Sequence, residues 1–178
     1  MLAHSGLLIE GTRLITPDFH EDGRGFFANV WNDDVVPGAP DFSRHCVARS
    51  RRGVIRGLHV RRPPGEAKLV RCSRGAVYDA VVDLRPASAS FMAVAVFELD
   101  ADALMSLYVP AGCAHGYQAV TDQAEVTYRI DGRYMLSDGD VTVAWDDPEL
   151  GIAWPLAPPV LSAKDEHGLS AAEAVKLL

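Results

Sequence analysis

Of the 17 basic side chains in the sequence only three are lysines, and two of these, Lys68 and Lys164, sit beside candidate acid–base groups. Lys68 follows His59 in RGLHVRRPPGEAKLV, and Lys164 directly precedes Asp165 in LSAKD. Arginine is a planar fork that stays protonated, whereas lysine is a compact charge that fits against one oxygen and can exchange a proton. His59, His115, Tyr128 and Asp165 occur in similar settings. The chemistry that suits these residue types is proton movement at a substrate oxygen or carbon. A codon bias against lysine would give the same count, so the weight rests on the motifs around these residues.

Strands must position them. VRCSRGAVYDAVVDL, FMAVAVFEL, SLYVP, AEVTYRI and DVTVAWD are short runs rich in Val, Tyr and Phe, bounded by Gly, Pro, Asp or Ser. Their spacing, about ten residues with turn signals between, predicts a sandwich or barrel of antiparallel strands. Helical periodicity is confined to LDADALMSL, one turn or two, and to SAAEAVKLL, where Ser170 is placed to cap a helix. VVPGAPDFS reads as a loop. No repeat or linker divides the chain, and residues 1–178 are expected to form one domain. PAGCAHG sets a Pro-Gly turn beside a histidine, which predicts His115 at the mouth of a barrel. Its form, PxGxxH, resembles the second motif of the cupin barrels. Their first motif needs a paired HxH with a downstream glutamate; here that place reads His59-Val60-Arg61. Isolated histidines without a carboxylate at ligand spacing make a poor metal site. The expectation is an all-β, cupin-type jelly-roll barrel with a few short helices and no metal.

A net charge of −7 argues against a nucleic-acid-binding surface, which needs a basic field. The locally basic RRGVIRGLHVRR suits a small anionic ligand such as a diphosphate, although Arg51 and Arg52 read as a solvated strand edge. Cys46, Cys72 and Cys113 are odd in number and share no CxxC spacing, which fits reduced thiols in a cytoplasmic protein. The apolar run at the start is broken by Glu10 and Arg13, and no window approaches the length of a membrane span, so a soluble protein is expected.

From Phe19 to about Leu169 the chain resembles the dTDP-4-dehydrorhamnose 3,5-epimerases, cupin-fold enzymes of deoxysugar synthesis. The resemblance is carried, in order, by DGRGFF, GVIRGLH, PPGEAKLV, VYDAVVDLRPAS, VPAGCAHGY, YRIDGRY, WDDPELGIAWP and LSAKD. It implies a nucleotide-linked 4-keto-6-deoxyhexose substrate, no cofactor, and inversion at one or both carbons beside the ketone. Inversion needs a base on one face, stabilisation of the enolate oxygen, and an acid on the other face. The resemblance makes His59 the base, Asp165 its orienting carboxylate, and Tyr128 the acid. Lys68 and His115 would face the ketone oxygen, and Arg56 and Arg24 would grip the diphosphate. In the family the segment holding Arg24 reaches into the partner's site, which implies a homodimer. Lone histidines such as His20, His45 and His167 read as ordinary surface or packing residues. Tyr117 and Tyr134 read equally well as barrel-wall aromatics, and Asp165 as a turn cap. Asp83, Arg85, Asp146 and Asp147 read as framework.

The departures from the family pattern gather at its nucleotide end. Asn29 stands where a glutamate is usual, Arg44-His45-Cys46 replaces a Gln-x-Asn segment, and Arg61 replaces a glutamine two places after the base. Gly139, between Asp138 and Asp140, falls where an acid is expected after Tyr134. Asn29, Arg44, Cys46, Tyr134 and Lys164 are therefore carried as substrate-contacting candidates. This pattern favours the same chemistry on an atypical sugar nucleotide, or inversion at a single carbon. The alternative is a catalytically inactive cupin-fold binder of sugar nucleotides.

Overall fold

The computed structural model describes residues 9–32, 36–131 and 139–178. Among them two five-stranded antiparallel sheets face each other, as in a jelly roll. The first has the order β1 (Arg13–Ile15), β9 (Ser106–Val109), β6 (Lys68–Arg74), β11 (Gln123–Asp131) and β4 (Phe42–Arg51). The second runs β12 (Asp140–Thr142), β5 (Ile55–Arg61), β10 (Cys113–Ala119), β7 (Ala76–Asp83) and β8 (Val94–Asp100). A separate hairpin pairs β2 (Phe19–Asp22) with β3 (Gly25–Ala28). The long run at 70–84 is two strands, because Gly75 turns the chain at a positive φ of 68°.

Period-two patterning puts the core on both faces of the second sheet. In β7, Val77 and Val81 point between the sheets, with Val70 and Cys72 of β6 and Val126 of β11. Ala80 and Val82 point the other way, where the C-terminal segment covers them through Leu150, Ala171 and Ala174. That segment is tied down by the bridges Val54–Val160 and Val143–Leu169. It carries a 3₁₀ turn, Asp165–His167, and the helix α1, Ala171–Val175, whose N-terminus is closed by reciprocal bonds between Ser170 and Glu173.

The helix expected in LDADALMSL does not form. The Asp100 carboxylate accepts the backbone N–H groups of Asp102 and Ala103 at 3.0 and 2.8 Å. Such a side-chain turn competes directly with helix initiation. Among the described residues no helix is long and apolar enough to cross a membrane.

One irregularity sets up everything that follows. Between the pairs His115–His59 and Tyr117–Arg56 the register shifts, so β5 carries an extra residue opposite β10. Side chains normally alternate along a strand, which would send Arg56 and His59, three apart, to opposite faces. A bulge re-aims them, and both reach the interior cavity. Two glycines make room. Gly57 has φ 135°, and a Cβ on it would lie 2.5 Å from Gly116 Cα; a Cβ on Gly116 would lie 2.8 Å from Arg56 O.

Candidate active site

The cavity between the sheets has a volume of about 400 Å³. From β5 comes His59, whose Nε2 lies 2.7 Å from Asp165 Oδ1 across 106 residues of sequence. Asp165 is held in turn by Ser162, whose Oγ–H donates to Oδ2 at 2.8 Å. Burial pushes the Asp165 carboxyl up, but the bonds from His59 and Ser162 outweigh it and hold it below the ordinary carboxylate value. An ionised carboxylate can only accept, so His59 Nε2 must donate. The neutral ring then keeps its lone pair on Nδ1.

Lys68 enters from β6, buried, with Nζ 3.4 Å from His59 O and 3.8 Å from Glu66 Oε1. Burial lowers its pKa, while Glu66 and Asp140 pull it back up. On the same sheet as Lys68, and facing the sheet that carries His59, stands Tyr128 of β11. Burial raises its phenol well above 10, and Tyr117 and Asp79 add to the rise. The Tyr128 ring meets His115 edge-on, with centroids 6.2 Å apart. His115 is not on the turn at the mouth. It lies within β10, 3% exposed, because the strand begins at Cys113 and period two turns its odd-numbered residues inward. Its Nε2 contacts both oxygens of Asp79 at 3.0 and 2.9 Å. Burial raises the Asp79 carboxyl, opposed by the attraction of His115.

Two of the altered positions, Arg44 and Arg61, meet in one charged network. Arg44 donates to Glu66 at 2.6 Å, and Arg61 lies 3.7 Å from the same oxygen. Asp140 receives Arg61 at 3.4 Å and Lys164 at 3.8 Å. Gly139 lets this happen, since a Cβ there would stand 3.0 Å from Arg61 Nε. The guanidinium occupies space that a larger residue would take.

His59, Asp165, Tyr128, Lys68, His115, Arg56, Lys164 and Cys46 thus line one cavity. Arg44 lines the neighbouring cavity and is joined to this one through Glu66. Arg24 lies in the β2–β3 turn with its side chain 91% exposed, paired to Asp22, and Asn29 is exposed just beyond β3. Neither reaches the cavity of its own chain. Tyr134 and Asp138 lie outside the described residues. Asp79, Glu66 and Ser162 were not foreseen. Asp79 was legible as a charge on the face that Val77 and Val81 bury. Glu66 and Ser162 carried no comparable signal. Asp83 and Arg85 form framework as expected: Arg85 donates to both Asp83 oxygens, and the Ser88 and Ser90 hydroxyls donate to Oδ2. Among the described residues no group of three His, Cys, Asp or Glu side chains is placed to hold a metal ion.

A lone pair on the β5 wall, with a retained phenolic proton and a lysine on the facing sheet, suits proton transfer at a carbon next to a carbonyl. The jelly roll around them is of cupin type, and fold and site together define an acid–base isomerase. The model for the dTDP-4-dehydrorhamnose 3,5-epimerase family matches residues 7–173, and the chain belongs to that family. It is 36% identical to the dTDP-4-dehydrorhamnose 3,5-epimerase of Escherichia coli K12 over 95% of this chain and 94% of that one. It is 39% identical to the dTDP-4-dehydrorhamnose 3-epimerase of Streptomyces niveus, over 93% of this chain and 82% of that one. Among solved structures it is similar to NovW, a 4-keto-6-deoxy sugar epimerase from the novobiocin gene cluster of Streptomyces spheroides. The TM-score is 0.90 at 37% identity, covering 99% of this chain and 90% of that one.

Proposed function

We propose that the protein inverts carbon 3, carbon 5 or both of a nucleotide-linked 4-keto-6-deoxyhexose, with His59 as base and Tyr128 as acid. The observation that carries this is the 2.7 Å His59–Asp165 contact, facing Tyr128 across the cavity. His59 Nδ1 takes the proton beside the ketone, and Asp165 stabilises the imidazolium. Lys68 meets the charge developing on the ketone oxygen, where a preplaced cation acts most strongly. His115, fixed by Asp79, stands beside it. Tyr128 O–H then delivers a proton to the opposite face, which inverts the carbon.

Arg56 is exposed on the cavity wall and suits the substrate's diphosphate. A second diphosphate contact comes from Arg24 if its hairpin crosses to a partner, and a homodimer supplies that crossing. Exposed Phe19, Phe26 and Phe27 on the same hairpin support such an interface. The rearranged Arg44–Glu66–Arg61–Asp140 network supports a nucleotide or sugar contact unlike the usual one. Three free cysteines are consistent with a cytoplasmic setting.

The test is deuterium exchange and product stereochemistry with 4-keto-6-deoxyglucose on several nucleotides, read by NMR. Tyr128→Phe should block inversion more severely than exchange, because the enolate still forms and is reprotonated from the His59 side. Tyr134→Phe should keep inversion. Normal inversion by Tyr128→Phe would sink the two-face assignment.

A further inference from the structure

Lys68 is buried, and a buried ammonium keeps its charge only where a carboxylate offsets the loss of water. Glu66 supplies one. Its side chain is 11% exposed, and its Oε1 lies 3.8 Å from Lys68 Nζ. The two residues stand two apart in GEAK, the spacing that puts side chains on one face of extended chain. Between them Ala67 is clamped by Asp131 of β11. The Asp131 carboxylate accepts the Ala67 N–H at 2.5 Å, and the Asp131 N–H donates to Ala67 O at 3.2 Å.

The other groups around Lys68 have other partners or little charge. Asp165 of the C-terminal segment and Asp79 of β7 are held by His59 and by His115 of β10. Burial pushes the Cys113 thiol of β10 up to about 12 and the Tyr128 phenol well above 10, so both are neutral in the working range. Arg56 of β5 donates to Ser50 Oγ and Arg49 O at 3.0 and 3.3 Å. Asp140 of β12 is 52% exposed, where solvent screens it, and it already receives Arg61 and Lys164. That leaves Glu66, whose two oxygens are divided between cations. Oε2 accepts from Arg44 of β4 at 2.6 Å and lies 3.7 Å from Arg61 of β5, while Oε1 faces Lys68.

We propose that Glu66 is a positioning residue that holds the Lys68 ammonium charged and in place, and that Arg44 competes with Lys68 for the same carboxylate. The inference rests on the epimerase reading in which Lys68 meets the ketone oxygen. Lys68 keeps its proton throughout and only offsets the charge that the enolate gathers. The electrostatic surroundings agree in sign. Burial lowers the Lys68 pKa, Glu66 opposes that most, Asp140 helps, and Arg44 and Lys164 deepen the fall. An ammonium is present below its pKa and lost as pH rises through it, so removing Glu66 should bring that loss to lower pH, and removing Arg44 to higher pH.

The chain has only three lysines, so protein grown on lysine carrying ¹³C at Cε gives three titrating NMR signals. Lys68→Arg identifies the Lys68 signal by its loss. Glu66→Gln keeps an acceptor for Arg44 and removes the charge; the Lys68 midpoint should fall by about one pH unit or more, the scale of one opposite charge at this range. Arg44→Gln should move it upward. Deuterium wash-in with dTDP-linked 4-keto-6-deoxyglucose should follow, its alkaline limb shifting down in the first variant and up in the second. A residue that merely braces the loop would lower wash-in equally at every pH and leave the midpoint where it was. An unmoved Lys68 midpoint overturns the proposal, and if Glu66→Gln does not fold, Arg44→Gln decides. Midpoints that move while wash-in keeps its native pH profile would instead remove Lys68 from the ketone oxygen, and with it the reading on which the proposal rests.

Discussion

Asp165 has two oxygens, and each has work to do: Oδ1 fixes the His59 tautomer, and Oδ2 is held by Ser162. An amide in its place could present its NH₂ to Nε2 and force the proton onto Nδ1, where the base must be free. Asp165→Asn should therefore lower the wash-in rate by roughly three to four orders of magnitude, with the fold kept. The same residue sets a pH dependence. Its folded pKa is depressed below the ordinary 3.8, so its share of stability is full above that value and fades as pH falls through the depressed one. The gap in melting temperature between the native chain and Asp165→Asn should be widest near about pH 6 and shrink toward about pH 3. A gap that grows on acidification would contradict the assignment. At Lys68 a guanidinium should not substitute. Lys68→Arg should lose most of the wash-in rate, because Lys68 is buried where a point charge fits and a fork does not. His59, Asp165, Lys68 and Tyr128 were legible because their motifs name them. Asp79 was harder, since its meaning lies in a partner on another strand, His115.

At the scale of elements, the β5 bulge was invisible in the sequence. Period-two reading assumes unbroken register, and nothing in RGLH declares an extra residue until β10 is laid beside it. Its glycines can be tested directly. Gly57→Ala would put a Cβ 2.5 Å from Gly116 Cα at a φ of 135°. It should cost about 3 kcal/mol or more in denaturant unfolding, and misplace Arg56 and His59 together. The C-terminal segment offers a contrasting case. Asp147 accepts the backbone N–H groups of Glu149 and Ala171 at 2.8 and 2.6 Å. Asp147→Ala should lower stability by about 2 kcal/mol while wash-in stays near normal at low temperature, since none of these groups lines the cavity. The short helix capped by Ser170 was readable because capping is local. The false helix at 99–107 was not, because one aspartate turn overrides a weak periodicity.

At the scale of the whole molecule, the β2–β3 hairpin pairs with neither five-stranded sheet among the described residues. Phe26 and Phe27 are 60% and 74% exposed there, and Val47 is exposed on the edge strand β4. Exposed apolar groups concentrated on one hairpin favour burial against a second copy. Phe27→Asp should convert a dimer into monomers by light scattering, with loss of turnover. The strand rhythm gave away the two sheets, but a single chain cannot display whose cavity Arg24 serves. That leaves a consequence for mixed populations. Suppose Arg24 is lent across the interface while His59 stays at home. A chain disabled at Arg24 and a chain disabled at His59, each inert alone, would then complement when mixed and reassembled. Random exchange would restore roughly a quarter of the sites, since half the dimers are mixed and each mixed dimer holds one intact pairing. If the arm serves its own chain, no mixture of the two recovers anything.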